Sequence, residues 1–318
     1  MTPVNLTCPV CQAEVEPRLQ ERKGPFTLYL CPLCEVVFAH PLSNPGSSWY
    51  EEDVETRVRL LVASARKPEE MLREPHHRFL RDRPAAGGAL LDIGCAEGGF
   101  LAAAQRHYRV AGLDFNPQAI ALARTRFGLQ HAYVMTLEDF HQARAEMGFA
   151  AGFDVITAFD VLEHVDAPRL FLAMVRELLA PGGWLAINEP NRDRRPNLRE
   201  PWDYPPHHLT RWNKRSLANF LEGNGFSVAK MEEFTDGGYL AIDWIDRLPP
   251  VRALKRSLAA GAPANGNGHL RASLPSLLGK ARLSLAKVLD SPLLTVLGAV
   301  KAPGQMLYCL ARRDDGGN

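Results

Sequence analysis

The chain has 318 residues, 46% of them hydrophobic, with a net charge of +1. That length is enough for about two domains and a substantial core. The near-zero charge gives no general attraction to nucleic acid or membrane surfaces, and the absence of an apolar run of roughly 18 residues excludes a spanning helix.

The first apolar residues run directly into a cysteine pair, so no secretory signal is expected. The six cysteines read as reduced, in a cytoplasmic protein. Cys8-Pro-Val-Cys11 and Cys31-Pro-Leu-Cys34 are two C-x-x-C pairs at zinc-ribbon spacing. Each pair turns two thiolates toward one point, and four thiolates complete the tetrahedral shell of Zn²⁺, leaving no open position for catalysis. A redox or disulfide pairing is the alternative. Residues 1–45 therefore read as a zinc ribbon that draws its folding energy from the metal. Arg18, Arg22 and Lys23 in it face Glu14, Glu16 and Glu21, so it lacks the basic footprint of an RNA binder.

Residues 46–88 read as a helical linker or cap, with a helix expected over Glu69–Arg81. From Ala89 short apolar runs alternate with helical ones. The runs are ALLDIG, RVAGLD, HAYVM, FDVITAFD and WLAINEP, with helices at about 98–107, 117–127 and 167–179. A further helix over 214–223, the strand FSVAKMEEF and a last strand at 305–312 complete the pattern. It predicts a doubly wound α/β domain over 89–318, with a mostly parallel sheet covered by helices. Between the last two strands, at about 235–303, lies a basic insertion. Residues 247–303 hold nine Lys/Arg and one acid, leaving 28 basic and 35 acidic residues elsewhere. Leu274, Leu277, Leu278, Ala281, Leu285, Val288 and Leu289 fall on one helical face there. The stretch reads as a helix packed on the body, an acceptor-facing lid, or a peripheral membrane contact through 270–300.

The segment Leu90-Leu-Asp92-Ile-Gly94-Cys-Ala96-Glu-Gly98-Gly-Phe100 is a strand, a small-residue turn and a helix start. Alone it also suits a dinucleotide fingerprint. Asp92 disfavours that, because a phosphate loop would not welcome a carboxylate at its mouth. The segment resembles the first motif of class I S-adenosylmethionine-dependent methyltransferases, with Ala96 where that family often has Gly. The FDVITAFDVLEHV and LAPGGWL segments resemble its fourth- and fifth-strand motifs. The resemblance covers about 89–234 and implies a seven-stranded Rossmann-like sheet that binds S-adenosylmethionine. It implies that Asp92 reaches the methionine part, with Gly94, Ala96 and Gly98 forming the close-approach turn. Asp114, at the end of the second strand, suits the ribose hydroxyls. Phe115 is placed against the adenine, Glu138 or Asp139 near its amino group, and Phe159 in the fourth-strand motif.

Ligands of open α/β sheets sit at the carboxyl ends of the strands, so Asp160–His164 and Glu189–Asn191 should face the transferred methyl. His164 is one candidate base. His207 and His208, in Tyr204-Pro-Pro-His-His ahead of the helix, are the others. Each is equally readable as a packing or capping histidine. Arg192, Arg194, Arg195 and Arg199 could hold an anionic acceptor. The fourth strand lacks the N/D-P-P-Y motif of base-amino methyltransferases, so nucleic acid is an unlikely partner. The chain from Cys31 to Asp53 more closely resembles ribbon-bearing methyltransferases of bacterial glycans and secondary metabolites. The expected activity is O-methylation of a small molecule or glycan. An rRNA/tRNA methyltransferase and a non-enzymatic zinc-binding adaptor with a degenerate fold are the alternatives.

Overall fold

The computed structural model describes residues 5–46, 67–84, 87–195, 203–235 and 303–315. Most of the basic insertion, and with it the amphipathic face at 274–289 and Arg199, lies outside the described residues.

Seven strands form one mixed sheet. They are β6 (Ala89–Ile93), β7 (Arg109–Asp114), β8 (Ala132–Val134), β9 (Phe153–Phe159), β10 (Leu179–Pro190), β12 (Phe226–Phe234) and β13 (Met306–Arg313), in the order β12-β13-β10-β9-β6-β7-β8. β6 pairs in parallel with β7 and β9, and β13 runs antiparallel between β10 and β12. Strand order reverses between β6 and β9, which opens a crevice beyond their carboxyl ends. The β6 strand is buried at every residue, as expected of a central parallel strand covered on both faces.

Alternation along the strands divides the core in two. Leu91, Ile93, Ala111, Leu113, Ile156, Leu185 and Ile187 belong to one buried cluster, with α5 (Leu137–Ala143), α6 (Pro168–Leu178) and α7 (Lys214–Glu222) against it. Leu90, Val155, Ala186, Tyr308 and Leu310 belong to the other, covered by α2 (Glu74–Asp82), α3 (Gly99–Ala104) and α4 (Pro117–Phe127). In α6 the buried residues Phe171, Leu172, Met174, Val175 and Leu178 follow the helical repeat.

The helix expected over 69–81 is instead two: α1 (Pro68–Met71) and α2, separated by extended Leu72 and Arg73. Pro75 has no N–H to give to the carbonyl of residue 71, so a continuous helix is interrupted there and a new one begins. The fifth strand starts at Leu179 rather than at Trp184. It carries a register shift against β9 between those two residues.

The N-terminal module forms a β1–β2 ladder (Leu6–Thr7, Glu14–Val15) and the strands β3 (Arg18–Lys23), β4 (Phe26–Leu30) and β5 (Val37–His40). Its sheet does not end at β5. β11 (Thr210–Arg211), from the loop ahead of α7, pairs antiparallel with Val37 and Phe38, making a four-stranded sheet in the order β11-β5-β4-β3. Ala39 N donates to Leu209 O at 2.8 Å, and Leu209 N donates to Glu163 O at 2.7 Å. Lys23 and Arg211 both lie over the Tyr204 ring. Cys8, Val10, Val15, Cys31, Val36 and Phe38 join the same buried cluster as Trp212, Leu217 and Phe220.

A shared core makes the module and the α/β domain unfold together. Phe38→Ala, at a side chain that is 2% exposed, should cost about 3–5 kcal/mol. In denaturant titration it should shift the main transition. A separate early transition, with the main one unmoved, would show that the module melts alone.

Candidate active site and cysteine cluster

The crevice is lined from the ends of β6, β7, β9 and β10. After β6 the chain turns through Gly94 (φ +76°), Ala96 (φ +48°) and Gly98 (φ +77°). At Gly98 a Cβ would lie 2.6 Å from Leu129 Cδ1, and at Gly94 one would lie 2.8 Å from Val161 Cγ2, so both positions demand glycine. Ala96 holds the left-handed conformation despite its methyl. Asp160, which closes β9 across the crevice, does the same at φ +56°. Non-glycine residues in this conformation persist where the surroundings over-determine them.

Asp92 is buried, and its Oδ1 accepts a 2.6 Å hydrogen bond from Thr157 Oγ1. Burial raises its pKa to about 7; the nearby Asp114 charge adds to the rise, and Thr157 and Arg73 oppose it. Asp114 accepts from Ala96 N at 2.9 Å on one oxygen and from Asn116 N at 2.8 Å on the other. The N-cap of α4 falls to Asn116, whose side chain accepts from Gln118 N and Ala119 N. Phe115 is 40% exposed beside this turn. Asp139 accepts from Thr136 Oγ1 at 2.9 Å within the N-cap of α5, beside the exposed Glu138. Phe159 is buried in an aromatic group with His76, Phe79 and Phe100.

The cap helices settle on the same turn. A Cβ at Gly99 would lie 2.6 Å from Met71 Cβ, and His76 stacks on Phe100 with ring centroids 4.9 Å apart. Arg73 forms an ion pair with Asp160, which also accepts from Asn188 Nδ2. Sequence reasoning missed Arg73 because its position follows only from how the cap docks. Thr157 did leave a signal, as a hydroxyl inside an otherwise apolar strand.

The three histidines named from the sequence come together. The His164 ring lies 4.4 Å from that of His207 and 4.9 Å from that of His208, and His207 and His208 stack at 5.0 Å. One ring nitrogen from each lies within 4.8 Å of the others, close enough for acid–base work or to converge on an ion. His207 N and His208 N both donate to Tyr204 O, so the diproline turn fixes the pair. His164 Nδ1 lies 2.8 Å from His207 O. A carbonyl only accepts, so Nδ1 carries the proton and Nε2 the lone pair. Burial pushes His164 and His208 down, and neighbouring rings add to it, so both are neutral. His207 is half-buried and stands beside the buried His208.

Beneath them lies Glu163, its Oε1 3.9 Å from His164 Nε2 and 3.8 Å from His208 Nε2. Burial raises both Glu163 and Glu189, and nearby acids raise them further. Asp203 links this group to the loop after β10. It pairs with Arg194 at 2.6 Å, and its other oxygen lies 3.8 Å from His208 Nδ1.

Within the module the four cysteines converge. Cys8 Sγ lies 3.6 Å from Cys34 Sγ, and Cys11 Sγ 3.7 Å from Cys31 Sγ. All four sulfurs fall within 4.8 Å of one another, and none is in a disulfide. A tetrahedral zinc with Zn–S of about 2.3 Å requires sulfur–sulfur edges of about 3.8 Å, so the donor set fits that ion.

The methyltransferase-domain family pattern matches residues 64–230, more than half of the chain. The chain belongs to this methyltransferase family. The match spans the cap, the glycine turn, Asp114 and the histidines. Among curated relatives of the domain, the ubiquinone biosynthesis O-methyltransferase of Azoarcus sp. is 35% identical over 113 residues, 34% of this chain and 46% of that protein. That of Thiobacillus denitrificans is 36% identical over 121 residues, 36% and 50%. The mitochondrial enzyme of Schizosaccharomyces pombe is 31% identical over 150 residues, 46% and 52%. The chain thus spans about half the length of these relatives. A solved SAM-dependent methyltransferase from Archaeoglobus fulgidus superposes with a TM-score of 0.46 at 19% identity, covering 75% of this chain and 92% of that one. No helix among the described residues is long and apolar enough to cross a membrane.

Asp92 gives the methyltransferase domain a testable pH signature. Its folded pKa of about 7 exceeds the unfolded carboxyl value of about 3.9. The folded state therefore holds this proton more tightly, and its contribution to stability declines as pH rises from about 4 to about 7. Asp92→Asn removes that decline. In urea titrations the variant should gain on the wild type by up to about 4 kcal/mol between pH 4 and pH 8. A gap that does not change with pH would mean that the carboxyl titrates normally.

Proposed function

We propose that the protein is an S-adenosylmethionine-dependent O-methyltransferase acting on a small-molecule hydroxyl, with a structural zinc in its N-terminal module. The observation that carries this reading is the convergence of His164, His207 and His208 at the carboxyl end of β9, across from the glycine turn. The names of the curated relatives support an oxygen acceptor in a small molecule.

The crevice residues suit the cofactor. Asp92 offers a carboxyl at the end of β6 for an ammonium, and Asp114 offers a carboxylate oriented by two backbone N–H groups for a vicinal diol. Arg73 lies on the other wall, with its guanidinium at Asp160, and suits a carboxylate. When bound, S-adenosylmethionine supplies an electrophilic methyl on a sulfonium. The protein's part is to aim a hydroxyl oxygen and accept its proton. His207 is the first choice for that base. His164 holds the His207 carbonyl through its Nδ1–H, and His208 stacks against the His207 ring, so both act as positioning residues. Burial holds the Glu163 and Glu189 carboxyls above the usual carboxylate range beneath this group.

Calorimetry with S-adenosylmethionine tests the cofactor half. The wild type should bind it, and Asp114→Ala should weaken binding by about 1.5–3 kcal/mol. In methyl-transfer assays, His207→Ala should lower turnover by about 10²–10⁴-fold while cofactor affinity stays within twofold or so. If the wild type shows no cofactor binding, the adaptor alternative is correct. If all three histidine variants keep full turnover, these residues are not the base.

Zinc is the second expectation. Metal analysis should return one zinc per chain, lost in Cys8→Ser and Cys31→Ser. Because Val37–Ala39 pair with the segment after His208, chelation should depress turnover as well as stability. A metal-free protein with unchanged melting and turnover would contradict a structural ion.

A further inference from the structure

Between the module and the α/β domain lies a cavity of about 370 Å³ that the cofactor reading does not use. It is lined by Gln20 and Glu21 of β3, Val37 of β5, Arg211 of β11, and Arg192, Asp193 and Arg195 after β10. A smaller adjoining cavity shares Arg192 and Arg211 and is walled by His208 and Arg194. Arg192 and Arg211 thus line both spaces, and His208 of the histidine cluster lines the smaller. Its size falls within the range that holds small ligands.

Three guanidinium groups face two carboxylates in this cavity, and both carboxylates are engaged. Asp193 accepts from Asn213 Nδ2 at 2.9 Å and from Arg192 Nε at 3.1 Å. Glu21 stands 3.8 Å from Arg211. One positive charge is in excess. The guanidinium groups of Arg192 and Arg211 are held in place by their surroundings. Arg192 donates to Glu35 O. Arg211 donates to Asp203 O at 2.9 Å and lies over the Tyr204 ring. Arg195 is fixed through its backbone, its N–H donating to Pro303 O and its carbonyl accepting from Gln305 Nε2. Two held guanidinium groups, with the exposed Arg195 lining the same space, suit an oxyanion, which a planar guanidinium can engage with two parallel N–H groups. The walls come from two separate parts of the chain, so this cavity exists only because β5 pairs with β11.

We propose that this cavity is an oxyanion site that seats a phosphate or carboxylate on the methyl acceptor while its hydroxyl lies at the histidines. This rests on the O-methyltransferase reading and adds the acceptor's chemical class: an anionic small molecule, selected by the N-terminal module.

Isothermal titration of the full chain with inorganic pyrophosphate, and in parallel with malonate, tests it at constant ionic strength. One saturable site per chain is expected, weakened about tenfold by Arg195→Gln. Arg211→Gln should weaken it similarly, but Arg211 is buried and its loss can disturb folding. The exposed Arg195 is therefore the deciding position. Tighter pyrophosphate than malonate assigns a phosphate-bearing acceptor, and the reverse order assigns a carboxylate. If neither anion binds saturably, or binding is indifferent to Arg195→Gln, the proposal is overturned. S-adenosylmethionine affinity measured on the same samples separates the two readings. A protein that binds pyrophosphate but not the cofactor loses the methyltransferase reading and keeps the anion site. One that binds the cofactor and no anion does the opposite.

Discussion

The histidine cluster of this molecule depends on a short piece of backbone pairing, Val37–Ala39 against Leu209–Arg211. Its hydrogen bonds continue through Leu209 to the carbonyl of Glu163, so the module, the histidine loop and the turn after β9 are fixed as one unit. Remove any partner and buried N–H and C=O groups are left without bonds, at about 1–3 kcal/mol each. The pairing also sets the walls of the arginine cavity and places Lys23 on Tyr204. A module that looks like a detachable appendage is a structural wall of the arginine cavity.

The crevice obeys a different constraint. Its groups sit at the ends of neighbouring strands, where the reversal of strand order leaves a crevice. Geometry there is set by the sheet and by the tight turn at Gly94 and Gly98, not by the module. The two halves of the site therefore respond to different perturbations. Damage to the N-terminal module reaches the histidines, and changes in the glycine turn reach the crevice.

Much of this was legible in the sequence, for physical reasons. β7, α4 and β12 match their expected bounds because apolar periodicity, Asn116-Pro117 capping and Gly128 termination agree there. The mostly parallel sheet followed from strand–helix alternation, its seven strands from the family resemblance, and the cysteine cluster from C-x-x-C spacing. The three histidines were named individually, but their meeting was not derivable, since His164 and His207 are 43 positions apart. β11 escaped notice because two residues carry no periodicity. The break at Leu72–Arg73 was readable from Pro75 and was overlooked. Arg73 and the module's docking depend on tertiary contacts alone.

Thr210 and Arg211 present their ladder groups to β5, and behind them stand Leu209 and Trp212, both fully buried. A chain trimmed of its first 46 residues would keep every crevice residue yet turn this segment into a bare sheet edge flanked by freshly uncovered apolar surface. Open edges of that kind template pairing with other chains. The N-terminal module thus also acts as a molecular selvedge, the finished border that keeps one molecule from knitting to the next.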